Sequence, residues 1–298
     1  MTREACSRAR MLALLAAAPL AACGRRLGTT VRVGSKNFTE ELILGELYAQ
    51  MLESHGVPVT RRLDLSGTNI AMAALQRNEI DLYPEYTGTA LLDQLHLPAD
   101  SDAARVYRTV KDAYAAQYDL RWLAPAPMND SQALAATHAT AQRYGMRTLS
   151  DVATNAPQLV LGAVPEFLKR DDGLPGLRKR YGGFAFKSVK LIDFGLKYQA
   201  LAHGDVDVVV AFTTDGMIKA LDLVVFDDDK HLFPAYQVAP VVRAATLAAH
   251  PQIATQLDRL SPLLTDEVMR DLNLQVDGPQ KREPEDVAHD FLQEHHLV

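Results

Sequence analysis

The chain has 298 residues, enough for two lobes of ordinary size. Hydrophobic residues make up 48% of it, charged residues 23%, and the net charge is −6, a balance that excludes a disordered chain and a polybasic binder of nucleic acid. The longest basic cluster, Arg178, Lys179 and Arg180, is short, lies downstream of Asp171 and Asp172, and reads as a solvated face.

The first residues differ from the rest. Arg3, Arg8 and Arg10 form a positive segment, and residues 11–20 form an apolar run too short to span a bilayer. Leu20, Ala21, Ala22 and Cys23 follow, in the layout of an export signal. This tetrapeptide resembles the lipobox of bacterial lipoproteins, which implies cleavage before Cys23 and lipidation of that residue. Residues 1–22 are therefore expected to be a removed signal and residues 23–30 a lipidated linker. Cleavage would also remove Cys6, leaving one cysteine and no intramolecular disulfide. Three arginines and one glutamate leave with the signal, so the mature chain is more acidic than the whole.

Beyond the linker, residues 31–33 alternate like a strand. Thr39 is placed to cap a helix whose first turn carries Glu40 and Glu41. Its apolar residues recur at i+4 (Ile43, Leu47 and Met51; Leu44, Tyr48 and Leu52), and Gly56 ends it. Residues 57–65 read as a strand, 69–78 as a helix, 80–83 as a strand closed by Pro84, and 85–95 and 102–118 as helices. Strand-like segments recur at 159–164, 184–191, 206–212 and 223–226, with a helix at 196–202. From residue 244 onward the chain reads as helical, with Pro251, Pro262 and Pro284 near helix starts.

Strands alternating with helices predict an α/β fold with parallel sheets. There is no repeat and no low-complexity linker, so the lobes are expected to be joined by short crossing segments near residues 123–129 and 237–243. The first lobe then comprises residues 31–126 and 240–298, and the second is the insertion 127–239. A cleft between such lobes suits capture of a small ligand by hinge closure.

Three stretches are more specific. Residues 33–45 read Val-Gly-Ser-Lys-Asn-Phe-Thr-Glu-Glu-Leu-Ile-Leu-Gly. Residues 80–89 read Ile-Asp-Leu-Tyr-Pro-Glu-Tyr-Thr-Gly-Thr, preceded by Gly67, Thr68 and Asn69. Residues 212–216 read Phe-Thr-Thr-Asp-Gly. Together they resemble the substrate-binding proteins of osmoprotectant ABC transporters, which take glycine betaine, choline or carnitine, and the resemblance runs from about residue 31 to near the C-terminus. It implies a two-lobe periplasmic-binding-protein fold (type II-like) with ligand in the interlobe cleft, an extracytoplasmic location, a permease partner in the inner membrane, a membrane tether through Cys23 and a monomer. It implies no cofactor and no nucleic acid.

The ligand chemistry has a physical logic. A trimethylammonium group has no N–H to donate, so aromatic faces select it through cation–π attraction, while a ligand carboxylate calls for cations or hydroxyls at the far end. Carried onto this chain, the resemblance places Lys36, Thr89 and Arg170 on the carboxylate and Tyr86 and Tyr236 in the aromatic cage, with Asn69 lining the cleft. Two positions depart from the family pattern, since Gln132 and Phe212 stand where cage tyrosines are common. Phe212 keeps a π face without the hydroxyl, whereas Gln132 supplies an amide instead. The departures leave open another small polar solute, such as an amino-acid derivative, and the sequence is also compatible with a sensory receptor that feeds no importer. No zinc-protease, phosphate-loop or nucleophile-elbow motif is present, so no enzyme is expected.

Overall fold

The computed structural model describes residues 30–298. The expected export signal, Cys23 and all but the last residue of the expected linker lie outside the described residues. The described residues build two five-stranded sheets. The first contains β1 (Val31–Gly34), β2 (Val59–Arg62), β3 (Leu82–Tyr86), β4 (Leu120–Trp122) and β10 (Val238–Arg243), in the order β2-β1-β3-β10-β4. The second contains β5 (Gln132–Thr137), β6 (Val160–Ala163), β7 (Ser188–Leu191), β8 (Val208–Phe212) and β9 (Leu223–Val225), in the order β7-β6-β8-β5-β9.

The two sheets share one topology. In each, the strand next to one edge pairs in parallel with both neighbours, β1 with β2 and β3, and β6 with β7 and β8. Each also holds one strand antiparallel to the two beside it, β10 in the first sheet and β5 in the second. These two strands directly follow the segments that pass between the lobes. The segments meet at an antiparallel bridge between Asn129 and Gln237, where Tyr236 N–H also donates to Asn129 Oδ1 at 2.7 Å. The passage into the first sheet is thus complete before Val238, which pairs with Tyr86 inside β3.

The helix Thr39–Ser54 is the keel of the first lobe. Ile43, Leu44, Leu47, Met51 and Leu52 are fully buried, each contributing about 1.5–3 kcal/mol. Its cap differs from expectation: Phe38 holds the N-cap position in extended conformation without a side-chain cap, and the Thr39 hydroxyl instead donates to Asp277 Oδ1 at 2.7 Å. Pro84 likewise does not close its strand. It lies inside β3 opposite Pro240 of β10, where neither residue has to donate across the pair; the Pro240 carbonyl faces away and accepts from Leu123 N–H at 3.0 Å. Glu85 and Tyr86, expected in a helix, are therefore strand residues, and the helical turns Thr87–Thr89 and Ala90–Gln94 follow them.

The helix Asp266–Asp277, the last but one of the chain, touches both lobes. Asn273 Nδ2 donates to Glu40 Oε2 at 2.9 Å and to the Thr214 carbonyl at 3.0 Å, and Arg270 Nε donates to the Thr213 carbonyl at 2.8 Å. Gly216 allows the approach, because a Cβ there would lie 2.4 Å from Leu274 N.

Candidate functional site

Between the sheets lies a cavity of about 300 Å³. It sits beyond the C-terminal ends of β1, β3 and β8, where α/β folds collect ligands. Lys36 and Phe38 follow β1, Tyr86 ends β3 with Thr89 one turn later, Phe212 ends β8, and Tyr236 arrives on the second crossing segment. Gln132 opens β5, and Arg170 follows the short helix Pro165–Leu168 of the second lobe. Seven of the eight residues carried over from the family pattern therefore line one cavity. The exception is Asn69, which is exposed near the start of the helix Thr68–Gln76, its Oδ1 accepting from Gln94 at 2.8 Å; the cavity wall stops at Thr68.

The walls are more aromatic than the sequence suggests. Phe38 lies 6.2 Å from Tyr86 and 6.1 Å from Phe194, and Phe194 stacks on Phe212 at 5.9 Å, so the four rings form a continuous band with Tyr236 in the same cavity. Phe38 lies inside the Gly-Ser-Lys-Asn-Phe-Thr-Glu string and could have been read from it. Phe194 carries no local signal. Behind this band, Lys197 Nζ sits 4.9 Å from the Phe212 centroid and pairs with Asp215 at 2.8 Å. Asp215 is at the N-cap position of the helix Gly216–Ala220, but its carboxylate takes Lys197, the Tyr198 hydroxyl and the Phe212 N–H rather than capping.

The cationic residues are paired within the protein. Lys36 is 3% exposed and its Nζ lies 2.7 Å from Glu85 Oε1 and 3.6 Å from Glu41 Oε1. Burial would lower the ammonium, but Glu85 and Glu41 outweigh it and hold Lys36 above the ordinary lysine value. Burial also pushes the Glu41 carboxyl up to about 8, against the pull of the Lys36 charge. Arg170 grips Asp172 with two parallel bonds, Nε to Oδ1 at 2.7 Å and Nη2 to Oδ2 at 2.6 Å, and Nη1 reaches Asp93 of the first lobe. Burial would raise Asp172, yet Arg170, Tyr236 and Gln132 keep its carboxyl below the usual value. Gln132 Nε2 donates to Asp172 Oδ2 at 2.8 Å, and the Tyr236 hydroxyl donates to the same oxygen.

Carboxylates complete the lining. Burial, and after it the Glu40 charge, push Asp130 well above the carboxylate range. Asp130 accepts from the Thr214 hydroxyl at 2.6 Å, and Glu40 accepts from the Tyr86 hydroxyl at 2.6 Å. Asp193 and Glu166 also line the cavity. None of these acids, nor Asp93 and Asp172, is a candidate from the sequence: Glu40 lies in the Gly-Ser-Lys-Asn-Phe-Thr-Glu string and Asp172 beside Arg170, whereas Asp93 and Asp193 come to the site only through long-range packing.

A closed cleft between two like sheets, with rings, cations and carboxylates gathered at the strand ends, defines a bilobal solute-binding protein. The family of substrate-binding domains of ABC-type glycine betaine transport systems matches residues 29–294. A glycine-betaine-binding protein of Pseudomonas aeruginosa is 38% identical over 95% of this chain and 94% of its own length. An ergothioneine transport permease/ergothioneine binding protein of Helicobacter pylori is 36% identical over 88% of this chain but only 47% of its own length. Among solved structures, a glycine betaine/carnitine/choline ABC transporter protein superimposes with a TM-score of 0.76 at 29% identity, covering 90% of this chain and 99% of that one. This chain belongs to the substrate-binding domain family of ABC-type glycine betaine transporters. It is a binding component, not an enzyme, and it works on the extracytoplasmic side with a small-molecule ligand and a permease as partners. Among the described residues no helix is long and apolar enough to cross a membrane.

Proposed function

We propose that the interlobe cavity captures a small quaternary-ammonium osmoprotectant, glycine betaine being the simplest, and that the chain is delivered to its permease as a monomeric lipoprotein tethered through Cys23. The observation that carries this reading is one cavity that joins a band of aromatic rings to Lys36 and Arg170. The rings of Phe38, Tyr86, Phe194, Phe212 and Tyr236 suit a cation without N–H donors, at about 0.5–2 kcal/mol per ring. Thr89 and the N–H groups of Lys36 and Arg170 not held by Glu85, Asp172 and Asp93 suit its carboxylate. Because Arg170 and Phe212 come from the second lobe and Lys36 and Tyr86 from the first, a ligand that touches all four favours the closed arrangement.

A second reading within the same class is a larger betaine with its own donors, of the kind named for the Helicobacter pylori relative. The acceptors Asp193 and Glu166 in the cavity wall favour it, since glycine betaine has no N–H for them. Calorimetric titration of the chain from Gly24 with glycine betaine, choline, carnitine, proline betaine and ergothioneine separates the two. Tight binding that falls at least about tenfold in both Tyr86→Ala and Arg170→Ala is expected. Silence toward all five would sink the quaternary-ammonium reading. Ligand-dependent stimulation of ATP hydrolysis by a reconstituted permease would distinguish transport from sensing.

A further inference from the structure

The guanidinium of Arg170 has five N–H donors in a planar fork, and three of them are engaged. Two go to Asp172, which lies two residues away on the same lobe and is itself held by Gln132 and Tyr236. Asp172 is thus a fixed part of the seat of Arg170. The third goes to Asp93, and this partner is different in kind. It stands on the first lobe, in the turn Ala90–Gln94 one helical step beyond Thr89, and its side chain is 25% exposed against 2% for Asp172. Neither it nor Asp172 is among the residues that line the cavity, although both hold the guanidinium that is.

The charges around Arg170 do not favour an incoming anion as they stand. One guanidinium is matched by two carboxylates, and Lys36 is matched by Glu85. A ligand carboxylate approaching Arg170 therefore meets a group already surrounded by negative charge, unless one carboxylate yields. Asp93, held by one N–H and open to water, is the one able to do so. A cation without a carboxylate makes no such demand and leaves Asp93 where it is.

We propose that Asp93 stands in for the ligand carboxylate at Arg170, and so sets the preference of the cavity between zwitterionic and purely cationic quaternary-ammonium ligands. The inference rests on the ligand reading above, and Asp93 acts through Arg170 as a positioning residue. The test titrates wild type, Asp93→Asn, Asp93→Glu and the double variant D93N/R170Q with glycine betaine, choline and acetate. In Asp93→Asn, glycine betaine should bind more tightly and choline more weakly, shifting their affinity ratio about tenfold. Acetate, a carboxylate with no onium group, should become a measurable ligand of Asp93→Asn but not of wild type or the double variant. Asp93→Glu should restore the wild-type ratio. Equal changes for betaine and choline, or none, would overturn the proposal and leave Asp93 as a simple brace between lobes. If wild type binds neither onium compound while acetate still binds Asp93→Asn through Arg170, the ligand reading fails and the control of Arg170 by Asp93 stands. If acetate also fails to bind, both fall.

Discussion

Gln132 shows how a cavity residue can have a second task that its type alone does not announce. At a position where the family pattern has a cage tyrosine, an amide suggests a polar ligand. In the structure that amide donates to Asp172, next to the Tyr236 hydroxyl, and so helps to fix the carboxylate that holds Arg170. Lys36 carries a similar lesson, because its Nζ is bound to a fully buried Glu85 and truncating it would strand that charge. Glu41 offers a clean test at this scale. Its Oε2 accepts the Lys36 N–H at 2.9 Å, while its Oε1 has no hydrogen-bond partner. Burial raises the carboxyl from 4.5 to about 8, so between these values the folded chain holds a proton that the unfolded chain has released. The stability this contributes is fully present below about pH 4.5 and is lost as pH rises through about 8. Denaturant midpoints measured from about pH 5 to about 8 should fall less steeply in Glu41→Gln than in wild type, by roughly one proton's worth of slope. Parallel profiles would show that Glu41 titrates like an ordinary glutamate.

At the scale of elements, the run from β3 into the turns Thr87–Thr89 and Ala90–Gln94 builds most of the first lobe's share of the site. It supplies Tyr86 and Thr89 to the cavity, Glu85 to Lys36 and Asp93 to Arg170. Gly88 is the tight point of this run. A Cβ there would lie 2.5 Å from Tyr236 Cδ1 and 2.8 Å from the Ala235 carbonyl. Gly88→Ala should therefore push Tyr236 off Asp172, costing about 1–3 kcal/mol of stability and lowering ligand affinity more than a distant mutation of equal cost. Thermal melts and titrations on the same samples check both, and an unchanged affinity would show that Tyr236 is not held by this contact. Much of this run was legible, because Tyr-Pro-Glu-Tyr-Thr-Gly-Thr is contiguous. Its conformation was not, since Pro84 ordinarily ends a strand, and β3 continues past it because of its register with β10, more than a hundred residues away, which puts Pro84 where it need not donate to β10. β5 went unseen for a different reason. Its sequence Gln-Ala-Leu-Ala-Ala-Thr is poor in β-branched residues and became a strand through burial between β8 and β9.

For the molecule as a whole, the two-lobe plan could be read from alternating strands and helices, but the contacts that set how the lobes meet could not. Ion pairs such as Arg170 with Asp93 exist only once the lobes face each other, and no local pattern announces them. The helix Asp266–Asp277 belongs to the same group: expected on the first lobe, it also leans on the second through Thr213, Thr214 and Gly216. Asn273 joins Glu40 of one lobe to Thr214 of the other. Asn273→Ala should shift the free protein toward open arrangements, raise its radius of gyration in small-angle scattering, and weaken ligand binding by the lost fraction of closed molecules. With saturating ligand the radius should return to that of wild type. An unchanged radius in the free state would show that the helix does not bias closure.

The bridge between Asn129 and Gln237 has a consequence for how the chain reaches this state. The second sheet uses one unbroken stretch, β5 to β9, and can form from its own residues. The first cannot, because β10 lies between β3 and β4 and reaches them only from the far side of the insertion. Inserting β10 beforehand would mean closing a long floppy loop, with the entropy cost that carries. Once the insertion has folded and its ends are clasped at Asn129 and Gln237, β10 is delivered to its slot through a short tether. This topology predicts that the inserted lobe assembles first, so pulse-labelled hydrogen exchange during refolding should protect β5 to β9 before β10, and protection of β10 first would overturn that order.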